Sequence, residues 1–271
     1  MELQGKKVLV VGSGISGMGA IEALHQAGAV SFLFDGNDKL SVEDVRKKMK
    51  PGIEAQIEIG TLSEATSDAI DLVILSPGVP TDTEFVENFR RRGIKIWGEI
   101  ELAYEMGKGR VIGITGTNGK TTTTTLVGEI MSACYADVDV VGNIGNPYTL
   151  TALDATQETV TVAEISSFQL ETVEQFKPDV SAILNITPDH LNRHHTMENY
   201  AAAKEAVTRN QTKEQVCVLN YENAYTREIG ARCPARVVWF SSKRKLAEGF
   251  YQEGEEIWQA KDGVATRLMN I

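Results

Sequence analysis

One pattern recurs along the 271-residue chain. A short apolar run rich in β-branched residues ends in a Gly, Ser, Thr or Asn turn, and a helical stretch follows. The runs Lys7–Val11, Phe32–Phe34, Asp71–Leu75, Val111–Ile114, Val138–Val141, Thr159–Ala163 and Val180–Leu184 all behave this way. Alternating strands and helices call for parallel sheets, because a parallel connection needs a crossover long enough to hold a helix. Ligands of such sheets gather at the carboxyl ends of the strands, where these turns lie. The first series closes near Trp97, a helix over about residues 99–105 follows, and a new strand begins after Gly109. Two domains are expected, 1–97 and 98–271. Beyond Val216 the short β-type runs crowd together, so the second domain should carry additional sheet.

Composition narrows the function. The net charge is −10 and neither half is basic, which argues against a nucleic-acid partner. No apolar run approaches the ~20 residues of a membrane span, and the amino terminus lacks the layout of a signal peptide. No membrane partner is expected, and the expected location is the cytoplasm. Cys134, Cys217 and Cys233 are odd in number and far apart, so they read as small core residues rather than a disulfide or zinc framework.

Two glycine-rich turns carry the clearest chemistry. Gly12-Ser-Gly-Ile-Ser-Gly17 fits G-x-G-x-x-G between a strand and a helix, with Asp35 ending the next strand. Such a loop lets a diphosphate approach the free N–H groups of a helix N-terminus, and Asp35 suits ribose hydroxyls. The same physics serves any nucleotide diphosphate. Thr115-Gly-Thr-Asn-Gly-Lys-Thr-Thr122 follows a strand and opens a helix whose Leu126, Ile130 and Met131 are expected to face the core. Its backbone N–H groups would wrap ATP phosphates, Lys120 would neutralise the outer ones, and Thr121 would reach Mg²⁺. The spacing departs from the standard loop, since Ile114 stands where its first glycine would be.

Further polar residues end other strands. Glu164, before Ile-Ser-Ser-Phe-Gln-Leu-Glu171, is a natural Mg²⁺ ligand beside a phosphate loop. His190, in Asn185-Ile-Thr-Pro-Asp-His190, suits a metal or a charged intermediate. Thr196 is the expected N-cap of a helix over Met197–Thr208, and His194 and His195 read as loop surface. Lys204, on that helix, reads by residue type as a solvated charge.

Together these segments resemble the Mur ligase family of cell-wall amino-acid ligases, over essentially the whole chain. The resemblance rests on Thr115–Thr122, Asn143-Ile-Gly145, Asn185–His190 and Tyr200-Ala-Ala-Ala-Lys204. Ser76-Pro-Gly78, Gly98-Glu-Ile-Glu-Leu102 and Glu164–Glu171 are similar to the branch that adds D-glutamate to UDP-N-acetylmuramoyl-L-alanine. The resemblance implies an α/β fold with a Rossmann-like UDP-binding domain and a P-loop-like ATPase domain of mostly parallel sheet plus a smaller sheet. It implies that Gly14, Ile15, Ser16, Asp35, Gly36, Ser76, Pro77, Gly78, Asn143 and Ser166 hold the UDP substrate. Gly116, Thr117, Asn118, Gly119, Lys120, Thr121 and Thr122 would bind ATP. Thr121 and Glu164 would bind a first Mg²⁺, and His190 with an N-carbamoylated Lys204 a second. Lys120, His190 and Lys204 are the implied catalytic residues, and the implied protein is a monomer.

Family members continue past the point matching Ile271 with a segment that completes the central domain and a C-terminal domain that binds the incoming amino acid. On that resemblance the C-terminal domain is absent here. UDP-substrate binding should then survive, ATP binding weaken, and D-glutamate ligation be poor or lacking. Other readings of the same residues are a related ligase of the fold, a non-catalytic nucleotide-binding fragment, and an NAD-binding oxidoreductase. The last rests on Gly12–Gly17 and Asp35 alone and leaves Lys120, Glu164 and His190 without a role.

Overall fold

A computed structural model describes residues 2–143 and 145–271. Ile144, inside the Asn-Ile-Gly motif, lies outside the described residues, as does Met1. The chain opens with β1 (Lys7–Val11), α1 (Ile15–Gln26), β2 (Val30–Asp35), α2 (Val42–Arg46), β3 (Gln56–Ile59), α3 (Glu64–Ala69), β4 (Leu72–Leu75), α4 (Glu84–Arg91), β5 (Lys95–Gly98) and α5 (Glu99–Met106). It continues with β6 (Arg110–Thr115), α6 (Lys120–Ser132), β7 (Val138–Gly142), α7 (Tyr148–Ala152), β8 (Val160–Glu164), α8 (Ser167–Leu170), β9 (Val180–Ile183), α9 (Leu191–His194) and α10 (Met197–Glu205). A short 3₁₀ turn, β10 (Val216–Asn220), α11 (Ala224–Arg232), β11 (Arg236–Ser241), β12 (Gly249–Glu253), β13 (Glu256–Lys261) and β14 (Val264–Asn270) complete it.

Two compact units result. The first is Met1–Gly109 with Val141–Glu158 and Phe168–Phe176; the second is Arg110–Val140, Thr159–Ser167 and Lys177–Ile271. The first unit holds a five-stranded parallel sheet in the order β3-β2-β1-β4-β5. Side chains on β1 alternate in the way a sheet covered on both faces requires. Val8 and Val10 pack with Ile21, Leu24, Leu72 and Trp97 on one side. Leu9 and Val11 pack with Val73, Leu75, Val86 and Phe89 on the other. From β1 the chain steps outward to β2 and β3, then crosses back to β4 and β5 on the other side, so the strand order reverses between β1 and β4. The crevice for a ligand therefore opens at the loop after β1.

The second sheet has nine strands in the order β14-β13-β12-β11-β10-β9-β6-β8-β7. The pairs from β8 through β6, β9, β10 and β11 to β12 are parallel, and β12-β13-β14 is an antiparallel extension. Here β6 lies between β8 and β9, so the loop after β6 occupies the corresponding crevice. Among the described residues no helix is long and apolar enough to cross a membrane.

Two packing expectations need correction. Leu126 and Ile130 do not face the core; they are 58% and 51% exposed. The packed face of α6 is Thr124, Val127, Gly128 and Met131. Small residues let this helix approach closely: a Cβ on Gly128 would lie 2.4 Å from Val140 Cγ2. Cys134 is exposed, whereas Cys217 and Cys233 are buried as expected. It follows that Leu126→Gln should change unfolding free energy by less than about 0.5 kcal/mol. Val162→Ala, at a fully buried strand position, should cost about 2 kcal/mol, both values being read from urea unfolding.

Candidate functional site

The loop after β6 is tied down before it meets any ligand. Gly119 caps α6 with φ 83°, a left-handed conformation natural to glycine. The first N–H groups of α6 consequently point out of the helix end, where they favour anions. Asn185, just past β9, braces the loop from the neighbouring strand. Its Oδ1 accepts from Asn118 N at 2.8 Å, its Nδ2 donates to Asn118 O at 2.9 Å, and its backbone O accepts from Thr117 N at 2.9 Å. Thr117 Oγ1 lies 3.1 Å from the Tyr200 hydroxyl, and Thr187 N donates to it at 3.0 Å. Lys120 Nζ donates to Thr117 O at 3.0 Å, which holds the ammonium over the loop.

Glu164 meets this loop because β8 pairs with β6, in register Ile114 to Glu164. Thr121 Oγ1 donates to Glu164 Oε2 at 2.9 Å, and the Glu164 residue is 1% exposed. Two hard oxygen donors, a lysine and a helix N-terminus thus share one strand-end crevice. Gly116 is buried, and Thr122 is exposed at the start of α6.

Lys204 contradicts its solvated reading by residue type. It is 1% exposed, its Nζ donates to Gly116 O at 2.8 Å, and it lies 4.7 Å from the Tyr200 ring centroid. Burial, helped by the charge of Lys120 and opposed by Asp189, brings its pKa down to about 7. A lysine is thereby available as a neutral amine near neutral pH. His190 adopts a left-handed backbone, φ 50°, and its Nε2 lies 3.4 Å from Asp189 Oδ2. His194 is not loop surface: it is buried, 2.9 Å from Ser167 Oγ through Nε2, with its ring beside that of Tyr200. His195 is exposed. Thr196 caps α10 as expected, accepting from Asn199 N at 3.2 Å.

The glycine loop of the first unit divides into packing and open positions. A Cβ on Gly17 would stand 1.9 Å from Gly12 O, so glycine is obligatory there. A Cβ on Gly14 would meet nothing within 4 Å. The middle glycine therefore borders open space, as access for a ligand requires. Asp35 Oδ2 accepts from Ser13 N at 2.8 Å and Ser13 Oγ at 2.6 Å, and its Oδ1 accepts from Asn37 N at 3.0 Å. Burial alone would raise this carboxyl, but those bonds and the charge of Lys48 outweigh it and hold it below the usual aspartate range. Ile15 is 80% exposed beside the loop, and Ser76 Oγ donates to Gly12 O at 3.3 Å. Ser16 and Pro77 are half-buried, and Gly36, Gly78 and Asn143 are exposed. Ser166, half-buried two residues past Glu164, belongs to the second unit.

Sequence reasoning missed several supporting residues. Ser13, Asn185 and Tyr200 hold the two loops; in the sequence Asn185 and Tyr200 stand out only as members of the motifs that carry the resemblance, with no role of their own. Glu99 and Glu101, at the start of α5, are 2% and 0% exposed. Glu99 accepts from Tyr148 N at 3.0 Å and Glu101 accepts three backbone N–H bonds from residues 174–176. Burial pushes both carboxyls up, with these bonds pulling the other way. Among the described residues no three His, Cys, Asp or Glu side chains converge as a metal cluster.

Comparison with known proteins gives these loops a context. Residues 6–98 match the Mur ligase MurD-like N-terminal domain, and residues 114–270 match the Mur ligase middle domain. The UDP-N-acetylmuramoylalanine--D-glutamate ligase of Lachnoclostridium phytofermentans is 55% identical over 93% of this chain and 55% of its own length. Its namesake from Lachnospira eligens is 56% identical over 95% of this chain and 57% of its own. The chain thus spans little more than half the length of these curated relatives. Among solved structures, UDP-N-acetylmuramate-alanine ligase from Thermotoga maritima shares the fold. It superposes with TM-score 0.54 at 22% identity, covering 97% of this chain and 60% of that one. With the middle-domain match alone taking in more than half of its residues, this chain belongs to the Mur ligase family.

Proposed function

We propose that these residues form the nucleotide-handling part of an ATP-dependent ligase that joins D-glutamate to UDP-N-acetylmuramoyl-L-alanine in peptidoglycan precursor synthesis. The observation that carries this reading is the second-unit crevice, where Thr121 Oγ1 bonds the buried Glu164 carboxylate at the mouth of the Lys120 loop. Relatives named for this reaction, at 55–56% identity, support the substrate pair. In this reading residues 1–97 hold the UDP moiety through Gly14, Ile15, Ser16, Asp35, Gly36 and Ser76–Gly78. Residues 98–271 bind ATP through Gly116–Thr122, and Asn143 and Ser166 position the muramoyl substrate. The protein acts as a cytoplasmic monomer.

The reaction must overcome a poor acyl donor. Transfer of the ATP γ-phosphoryl to the L-alanyl carboxylate gives an acyl phosphate and ADP. The D-glutamate amine attacks the acyl carbon, and phosphate leaves from the tetrahedral intermediate. Lys120 holds the outer phosphates in line and offsets the charge that builds between phosphoryl and carboxylate. The hydroxyl of Thr121 and the carboxylate of Glu164 are the hard oxygen donors that Mg²⁺ prefers, and phosphate oxygens and water would complete its shell. His190 and a carbamoylated Lys204 would hold a second ion. Bound Mg²⁺ would supply charge neutralisation on the phosphates.

Calorimetric titration with ATP tests the reading. Binding with an affinity in the range of roughly 10 μM to 1 mM is expected, and chelation of Mg²⁺ should weaken it at least about tenfold. Lys120→Ala should cost about tenfold to a hundredfold, the worth of a charge-assisted contact. ATP binding indifferent to both Mg²⁺ and Lys120 would contradict it.

A further inference from the structure

A cavity of about 460 Å³ opens within the first unit beside the glycine loop. Ser13, Gly14 and Ile15 form its rim, and Met18, Met49 and Ile53 give it apolar walls. Two lysines also line it, and they differ. Lys50 is held by Glu22, with Nζ 2.5 Å from Oε1. Lys48 extends to the loop itself, where its Nζ donates to Ser13 O at 3.4 Å. That contact is long and adds little to the fold. Nearby Lys47 points elsewhere and pairs with Asp44 at 3.8 Å.

Asp35, bonded to Ser13 through both the backbone N–H and the hydroxyl, is an ionised carboxylate at the place where a nucleotide diphosphate would approach. The glycine loop contains no cation of its own. A helix N-terminus offers about half a positive charge, which one fixed carboxylate more than offsets. The Lys48 ammonium beside Ser13 returns the local balance of charge to positive. Lysine suits this task because it meets phosphate as a point charge on a flexible stem.

We propose that Lys48 is a phosphate-binding residue of the first unit, whose ammonium leaves the Ser13 carbonyl to contact the diphosphate of the bound nucleotide. This rests on the reading of the glycine loop as a UDP site. It makes Lys48 the residue that separates a nucleoside diphosphate from the bare nucleoside.

The test compares UDP with uridine on the full chain. For UDP, Lys48→Ala should raise Kd about tenfold or more, Lys48→Arg should stay within about threefold of wild type, and the control Lys47→Ala should leave it unchanged. Uridine affinity should change less than about twofold in all three, because no phosphate is present to be contacted. Added salt should weaken UDP binding more in wild type than in Lys48→Ala, since a charge pair has been removed. Thermal melting should be the same for wild type and Lys48→Ala. Equal losses for UDP and uridine, or no loss for either, would overturn the role of Lys48 while leaving the UDP site standing. Failure of the wild-type chain to bind UDP would overturn the UDP reading and the role of Lys48 together.

Discussion

Glu101→Ala should cost the fold about 2–5 kcal/mol, a large effect for one side chain. The Glu101 carboxylate is fully buried and accepts from Glu174 N at 2.8 Å, Gln175 N at 2.6 Å and Phe176 N at 3.0 Å. Alanine would remove the acceptor from all three; the buried Phe176 N–H carries a cost of about 1–3 kcal/mol, and the part-buried Glu174 and Gln175 N–H groups carry less each. Glu101→Gln separates packing from acceptance. Its single carbonyl oxygen serves two of the donors and turns an amide toward the third, so it should cost roughly half as much. Urea unfolding gives the totals. Hydrogen exchange at residues 174–176 gives the local effect, and these amides should lose protection first in the alanine variant. A cost below about 1 kcal/mol for Glu101→Ala would mean that this turn is held by something else.

Lys204 should take up carbon dioxide at a rate that ordinary lysines cannot match. Only the neutral amine reacts, and the Lys204 pKa is about 7. At pH 8 roughly 90% of such a group is neutral, against about 0.4% for an unperturbed lysine at 10.4, a gain of about two-hundredfold. The product is an anion, and the charge of Lys120, which opposes an ammonium there, would stabilise a carbamate, while Asp189 acts the other way. In ¹³C-bicarbonate at pH 8 the chain should show one carbamate signal that vanishes on acidification. Lys204→Met should lack it, while Lys120→Ala should weaken it by removing the partner charge. A signal that persists in Lys204→Met, or none in wild type, would remove the carbamate from the proposed site.

Much of this was legible in the order of residues, for identifiable reasons. Strands buried on both faces leave continuous apolar runs, and turns at their carboxyl ends must be small or polar, so both glycine loops and Glu164 stood out. What escaped depended on contacts between distant segments. Ser13 and Asp35 are 22 positions apart, and their bond exists only because β1 and β2 pair in parallel. Lys204 looks like any helical lysine until α10 brings it beneath Gly116, and only the family resemblance singled it out. Helix α6 misled because apolarity is a poor guide where close approach decides: Thr124 and Gly128 are packed while Leu126 and Ile130 face outward. His194 reads as loop surface in the sequence because its burial depends on Ser167 and Tyr200, neither adjacent to it in the chain.

The most direct test of the central claim is calorimetric titration of the chain with UDP-N-acetylmuramoyl-L-alanine, with NADH as the parallel ligand. The expected result is saturable binding of the muramoyl nucleotide and none of NADH. This would match a first unit whose glycine loop and Asp35 serve a UDP moiety. Binding of NADH without the muramoyl nucleotide would contradict it, because the glycine loop would then serve a dinucleotide and the proposed ligase substrate would have no site in the first unit.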